Sequence, residues 1–167
     1  MTLDDLIKSS EALRLSAYDD VTGNNVAVGD VCLGTITIGW GHTGPDVRPG
    51  MTITEEEAER LFQQDKHNAI LDAIGALTHI ANAPDCWAGL GEPRQAALAD
   101  MSFNLGRVRF AGFHKLLAAV AAGDWDGASD EVLYNGKPNP SKWKKQVKHR
   151  ADRDAYILRT GLWPEHL

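Results

Sequence analysis

The feature that most constrains the fold is a change of sequence pattern near residue 50. Between about residues 17 and 49 the apolar side chains show no helical periodicity, six glycines occur, and the run Thr-Ile-Thr-Ile at 35–38 is rich in strand-forming residues. From Ala58 onward, apolar residues recur at intervals of three and four positions. The first pattern predicts a small antiparallel sheet with tight turns, and the second predicts a long helix. We therefore expect an α+β fold.

Capping signatures predict where two of the helices begin. Thr2 followed by Asp5 predicts a short N-terminal helix, whose apolar face leads toward Glu11. Thr54 followed by Glu57 is a capping box that predicts the start of the long helix. Hydrophobic periodicity and loop-forming residues predict further helices near 94–105, 113–122, 125–133 and 150–159, and a loop over 135–140.

A length of 167 residues fits one domain that spans 1–167. Within it we expect a sheet lobe over about 15–53, a linking helix over about 54–78, and a helical lobe over about 79–167 that also takes up the N-terminal helix.

Charge is distributed unevenly along the chain. The net charge is −6, yet the segment from Lys137 to Arg159 carries eight basic and two acidic residues. The remainder is therefore strongly acidic, which argues against nucleic acid as a partner. The basic segment is interpreted as a solvated helix face, with contact to a wall or outer-membrane polyanion as the alternative.

Neither metal nor cofactor is expected. The histidines show no pair at helical spacing, and Cys32 and Cys86 are too isolated for a zinc pattern or a disulfide framework, although a bridge between them stays open as an alternative. Residues 39–44 spell the dinucleotide fingerprint, but Pro45 follows where that motif requires a helix.

Two acidic residues are candidates for acid–base chemistry. Glu11 follows an apolar helix face, where burial and the helix dipole would raise its pKa. Asp20 lies near the start of the glycine-rich region, where we expect backbone N–H groups to keep its carboxylate ionised. Glycoside hydrolysis uses such a pair in unlike environments. Taken alone, the pair is also compatible with ordinary surface charges.

The residues around this pair carry a specific resemblance. Residues 11–20 read Glu-Ala-Leu-Arg-Leu-Ser-Ala-Tyr-Asp-Asp, and residues 37–42 read Thr-Ile-Gly-Trp-Gly-His. Further matches follow in order at 54–65, 94–95, 103–106, 112–113, 150–153 and 159–163. Together they resemble the phage lysozymes of glycoside hydrolase family 24, including those of T-even phages, over nearly the whole chain. The resemblance implies a lysozyme-like fold.

The resemblance also implies roles for individual residues. Glu11 matches the general acid, while Asp20 and Thr37 match residues that position the attacking water, which implies inversion. Such a mechanism needs carboxyl groups about 6.5–9.5 Å apart. Thr37 has a purely structural alternative as a β-branched strand residue. The segment 21–34 is longer than in T-even relatives, so it either extends the sheet lobe alone or displaces Thr37.

Four more residues match family positions. Arg150 matches an arginine that pairs with the catalytic Glu and lowers its pKa, with a solvated arginine as the alternative. His42 and Asp65 match a structural ion pair that would raise the pKa of His42. Asn104 matches a polar substrate-binding position in the cleft between the lobes, and its alternative is a helix residue that caps a turn.

The function implied is that of an endolysin. It would hydrolyse the β-1,4 bond between N-acetylmuramic acid and N-acetylglucosamine, as a monomer that binds peptidoglycan glycan strands. Residues 1–15 show neither signal peptide nor anchor, and no apolar run suits stable membrane insertion. We therefore expect synthesis in the host cytoplasm and release through a holin lesion to the periplasm or wall. The alternatives are a lytic transglycosylase and a non-catalytic wall-binding or virion module.

Overall fold

A computed structural model describes residues 1–166 of the chain. The three strands are β1 (Arg14–Asp19), β2 (Ile36–Gly39) and β3 (His42–Thr43). The helices within the described residues are α1 (Leu3–Ser10), α2 (Glu55–His79), α3 (Cys86–Gly89), α4 (Glu92–Leu105), α5 (Arg107–Ala111), α6 (His114–Ala122), α7 (Trp125–Tyr134), α8 (Lys142–Val147) and α9 (His149–Thr160). This combination confirms the predicted α+β class. The contacts within the chain divide it into two compact units. One unit is Lys8–His67, and the other combines Met1–Ile7 with the chain from Asn68 onward.

The unit Lys8–His67 is built on an antiparallel sheet with the strand order β1-β2-β3. Its register places Tyr18 opposite Thr37 and Asp19 opposite Ile36, with a bulge between Arg14 and Tyr18. Its apolar core consists of Ala17, Ile38, Val47 and Leu61, with Ile36, Met51 and Ile53 packed against it. Ala17 of β1 and Ile38 of β2 therefore face this core, as expected for a sheet with one buried side.

Both predicted helix starts show the expected capping bonds. The Asp5 N–H donates to Thr2 Oγ1 at 3.3 Å, and the Thr2 N–H donates to Asp5 Oδ2 at 2.8 Å. At the start of α2, Thr54 Oγ1 accepts the Glu57 N–H and Glu57 Oε2 accepts the Thr54 N–H. These reciprocal bonds satisfy N–H groups that a helix leaves without intrahelical partners.

The second unit is helical and has its own core. Helices α4, α6, α7 and α9 were predicted within about two residues of their observed bounds, and residues 135–140 form a loop as expected. Helices α3, α5 and α8 were not predicted, because helices of four to six residues are too short to establish a periodicity. The largest fully buried side chains of this core include Phe110, Met101, Leu98, Leu116, Leu117, Ile157 and Leu158.

Both cysteines are free thiols: Cys32 lies in the first unit and Cys86 begins α3 of the second. Within residues 1–166, none of the helices combines the length and the apolar character needed to cross a bilayer.

Candidate active site

Glu11 is the first residue after α1. The sequence predicted it at the C-terminal end of that helix, and the helix ends one residue earlier, at Ser10. Glu11 is half-buried, and Leu6 and Ile7, the apolar residues that precede it on α1, are fully buried. These two buried side chains anchor α1, the helix that Glu11 directly follows.

Tyr18 lies within the electrostatic reach of both candidate carboxylates. Burial of its ring raises the pKa of Tyr18, and the negative charges of Glu11 and Asp20 raise it further, while Arg14 opposes them. The Arg14 guanidinium lies 4.6 Å from the centroid of the Tyr18 ring. The phenol on β1 therefore lies in the electrostatic field of both Glu11 and Asp20.

Asp20 and Thr37 are joined through the backbone of Thr35. The Asp20 N–H donates to the Thr35 carbonyl at 3.1 Å, and Asp20 Oδ1 accepts the Thr35 N–H at 2.7 Å. Thr37 is buried, and its hydroxyl donates to the same Thr35 carbonyl at 3.1 Å. Tyr18 lies directly opposite Thr37, so these two side chains share one face of the sheet. The long segment 21–34 thus leaves Asp20 close to the start of β2.

Asp19 closes that long segment at both of its ends. Its carboxylate accepts the N–H groups of Val21 at 2.8 Å and Thr22 at 3.3 Å on one side, and of Leu33 at 2.6 Å and Gly34 at 3.2 Å on the other. These donors lower the pKa of Asp19, chiefly through the Leu33 N–H, against the opposing effect of burial. Sequence reasoning missed Asp19, since its partners at Leu33 and Gly34 are distant in sequence.

His42 contacts two carboxylates. Its Nδ1 lies 2.7 Å from Asp65 Oδ2 on α2, and its Nε2 lies 3.2 Å from Asp46 Oδ2. Burial disfavours the charged ring, but the hydrogen bonds and charges of Asp65 and Asp46 outweigh burial and raise the pKa of His42. The pair implied by the resemblance is therefore in contact, and it connects β3 to α2.

Asn104 lies near the end of α4 in the second unit, where its Oδ1 accepts the Trp143 Nε1–H at 2.8 Å. Trp143 is buried on α8, and its ring makes an edge-on contact with Phe113. A cavity of about 720 Å³ is lined by Trp143 and Phe113 together with Arg109 and Lys142. Asn104 thus fixes an aromatic wall of this cavity, a contact that the sequence did not reveal.

Arg150 belongs to a buried cluster of charges in the second unit. Its Nε and Nη2 donate to the two carboxylate oxygens of Asp100 at 2.8 and 2.9 Å, and Arg153 Nη2 donates to Asp100 at 2.9 Å. Arg150 is therefore a buried, bidentate partner of Asp100, not a solvated arginine. Its implied pairing with Glu11 stays a prediction.

The same cluster contains a second acid, Asp154. Burial and the neighbouring Asp100 charge raise the pKa of Asp154 well above its usual range, which Arg153 and Arg150 partly oppose. Arg153 also donates to the carbonyl of Leu6 on α1 at 3.1 Å. The cluster therefore also binds α1, through the Leu6 carbonyl. Across residues 1–166, no three His, Cys, Asp or Glu side chains form a group that could hold a metal ion.

Comparison with known proteins gives relatives of several kinds. The chain is 29% identical over 175 residues to the pre-baseplate central spike protein Gp5 of Enterobacteria phage T4. The matched region covers 96% of this chain and 28% of that protein. It is 26% identical to a probable T4-type lysozyme 2 of Dictyostelium discoideum, over 99% of this chain and 98% of that one. An endolysin of Bacillus phage B103 is 29% identical, over 93% of this chain and 52% of that one.

A family model supports the same relationship. The model described as phage lysozyme matches residues 8–153. That range contains Glu11, Asp20 and Thr37, the His42–Asp65 contact and the buried Arg150, and it covers well over half of the 167 residues. The chain therefore belongs to the phage lysozyme family.

Proposed function

We propose that this chain is an endolysin that hydrolyses the β-1,4 bond between N-acetylmuramic acid and N-acetylglucosamine in peptidoglycan. The observation that carries the proposal is that Asp20 and Thr37 are joined through Thr35, while Glu11 and Asp20 both influence Tyr18. Asp20 and Thr37 both form hydrogen bonds with the backbone of Thr35. The charges of Glu11 and Asp20 both raise the pKa of Tyr18. Membership of the phage lysozyme family supports the reaction class, as does the similarity to a protein named endolysin.

In the proposed mechanism Glu11 is the general acid. Its carboxyl donates a proton to the glycosidic oxygen as the bond from that oxygen to the anomeric carbon breaks. Asp20 and Thr37 hold a water on the opposite face of the sugar. As the water oxygen bonds to the anomeric carbon, its proton passes to the Asp20 carboxylate. Attack from the face opposite the leaving group inverts the anomeric configuration.

Asn104 has a binding role in this proposal. Its carbonyl oxygen already accepts a hydrogen bond from Trp143, so in the proposed complex its amide N–H groups would be the donors to substrate. A sugar N-acetyl carbonyl is a suitable acceptor for such a donor. Asn104→Ala is expected to raise KM more than it lowers kcat, because it removes a binding contact and not a reacting group.

The cellular route is part of the same proposal. An enzyme made in the cytoplasm that acts on periplasmic or wall peptidoglycan needs a path across the inner membrane, and we propose a holin lesion. Expression with and without a holin tests this step, since lysis is expected only when both proteins are present. Lysis without a holin would contradict it.

Product analysis separates hydrolysis from the transglycosylase alternative. Purified peptidoglycan is digested in ¹⁸O-labelled water and the fragments are analysed by mass spectrometry, with Glu11→Gln as the matched inactive variant. Hydrolysis is expected to place ¹⁸O at new reducing muramic ends, and Glu11→Gln is expected to release no fragments. Anhydromuropeptides as the sole product would overturn the hydrolytic mechanism.

A second function is favoured by one observation, the match to the spike protein Gp5. In that case the same fold would serve as a virion module. Wild-type protein that binds cell walls but releases no peptidoglycan fragments would support a non-catalytic module and exclude the endolysin proposal.

A further inference from the structure

Backbone N–H groups of residues 33–35 donate hydrogen bonds to two consecutive carboxylates, Asp19 and Asp20. The Leu33 and Gly34 N–H groups donate to Asp19, and the next N–H, that of Thr35, donates to Asp20 Oδ1. A β-carbon added at Gly34 would overlap Asp20 Oδ1 and lie 2.6 Å from Val21 Cγ2 and 2.9 Å from Asp19 Oδ1. The Asp20 carboxylate therefore occupies the space that a side chain at residue 34 would need.

The segment 21–34 has few apolar contacts to hold it in place. Its exposed aliphatic side chains are 67–89% accessible to solvent, namely Val21, Val28, Val31 and Leu33, while Val26 is buried. Exposed aliphatic groups contribute little to burial, so hydrogen bonds must define the geometry of the two ends. Asp19 supplies those bonds and is itself 3% accessible to solvent.

We propose that Asp19 and Gly34 are positioning residues for Asp20. Asp19 joins the two ends of the segment 21–34, which brings the Thr35 N–H to Asp20. Gly34 leaves the space in which that carboxylate lies. The inference rests on the proposed role of Asp20 in holding water. It explains how the segment 21–34 is accommodated between Asp20 and Thr37.

Gly34→Ala is the first test, with Gly127→Ala as its matched control. In both glycines a β-carbon would overlap the oxygen of an exposed aspartate, Asp20 in one case and the α7-capping Asp124 in the other. Gly34→Ala is expected to lower kcat by on the order of 100-fold with a smaller change in KM, since small displacements of a catalytic group have effects of this size. Gly127→Ala is expected to lower Tm while its kcat stays that of the wild type.

Asp19→Asn tests the same inference without adding volume. An amide NH2 would face one of the N–H donors, so the closure of the segment is expected to weaken and kcat to fall. The control is Asp30→Asn, which alters a carboxylate that accepts a local N–H, from Ala27, at 2.8 Å within the same segment. Its kcat is expected to stay within about twofold of the wild type, since an exposed local hydrogen bond contributes little.

The amide resonance of Thr35 gives a readout that does not depend on activity. A short hydrogen bond to a carboxylate shifts it downfield, and both Gly34→Ala and Asp19→Asn are expected to move it upfield while neither control does. Folded variants with wild-type kcat and an unchanged Thr35 resonance would overturn the inference. A lost kcat with an unchanged resonance would overturn it as well.

The proposed function fails separately from this inference. Wild-type protein that releases no peptidoglycan fragments, or Asp20→Asn that retains full activity, would refute the assigned role of Asp20. An upfield Thr35 resonance in the Asp19→Asn variant, whose substitution is distant from Thr35 in sequence, would still show that Asp19 maintains the bond from the Thr35 N–H to the Asp20 carboxylate.

Discussion

At the scale of single residues, the charges buried in the helical unit determine much about stability. Asp100 is fully buried and is bonded by both Arg150 and Arg153. The sequence identified Arg150 through the resemblance, but it gave no indication of Asp100, fifty positions away. Hydrogen bonds between distant residues depend on helix packing, which no local pattern encodes.

Asp100→Ala is expected to destabilise the protein by about 3–5 kcal/mol, because it removes the carboxylate that the buried Arg150 shares with Arg153. Chemical denaturation measures the change in the free energy of unfolding. The control is Asp130→Ala, which removes an exposed partner of Arg159 and should cost no more than about 1 kcal/mol. Equal effects of the two substitutions would contradict the importance of the buried cluster.

The His42 pair leads to a prediction on pH. Because Asp65 and Asp46 raise the pKa of His42 against the effect of burial, the folded state binds a proton more tightly than the unfolded state. The stability from this pair is fully present below the unfolded pKa of about 6.5 and is lost as pH rises through the folded pKa. We expect NMR titration to give a pKa of His42 above about 6.5 in the wild type and a lower pKa in Asp65→Asn. A wild-type value at or below about 6.5 would refute the pairing.

At the scale of elements, the sequence predicted what local residues determine. Thr54 and Glu57 define the start of α2, and the periodicity that begins at Ala58 defines its length. The closure of segment 21–34 was not predicted, because Asp19 reaches Leu33 across fourteen positions. Capping is encoded within four residues, whereas loop closure depends on residues that only the folded chain brings together.

Thr54→Ala is expected to lower stability by about 1 kcal/mol, since Thr54 Oγ1 caps the N-terminus of the 25-residue α2. Thermal unfolding followed by circular dichroism measures the loss. Thr54→Ser keeps the capping hydroxyl and should restore most of the stability. A Tm of Thr54→Ala equal to that of the wild type would show that the cap contributes nothing.

At the scale of the whole molecule, each of the two compact units has its own apolar core and its own candidate residues. Glu11, Asp20 and Thr37 belong to Lys8–His67, while Asn104 and Arg150 belong to the helical unit. The sequence predicted these residues through ordered motifs that span the chain, and the family match confirms that the chain is a phage lysozyme homologue. The catalytic roles themselves stay predictions.

The stereochemistry of the product tests the central proposal most directly. Proton NMR of a soluble glycan substrate, recorded before mutarotation, reports the anomer first released by the wild-type enzyme. With Glu11 as acid and a water held by Asp20 and Thr37, the β-linked substrate is expected to give the α-anomer first. Initial release of the β-anomer would contradict the account, because it requires a retaining mechanism in place of direct attack by water.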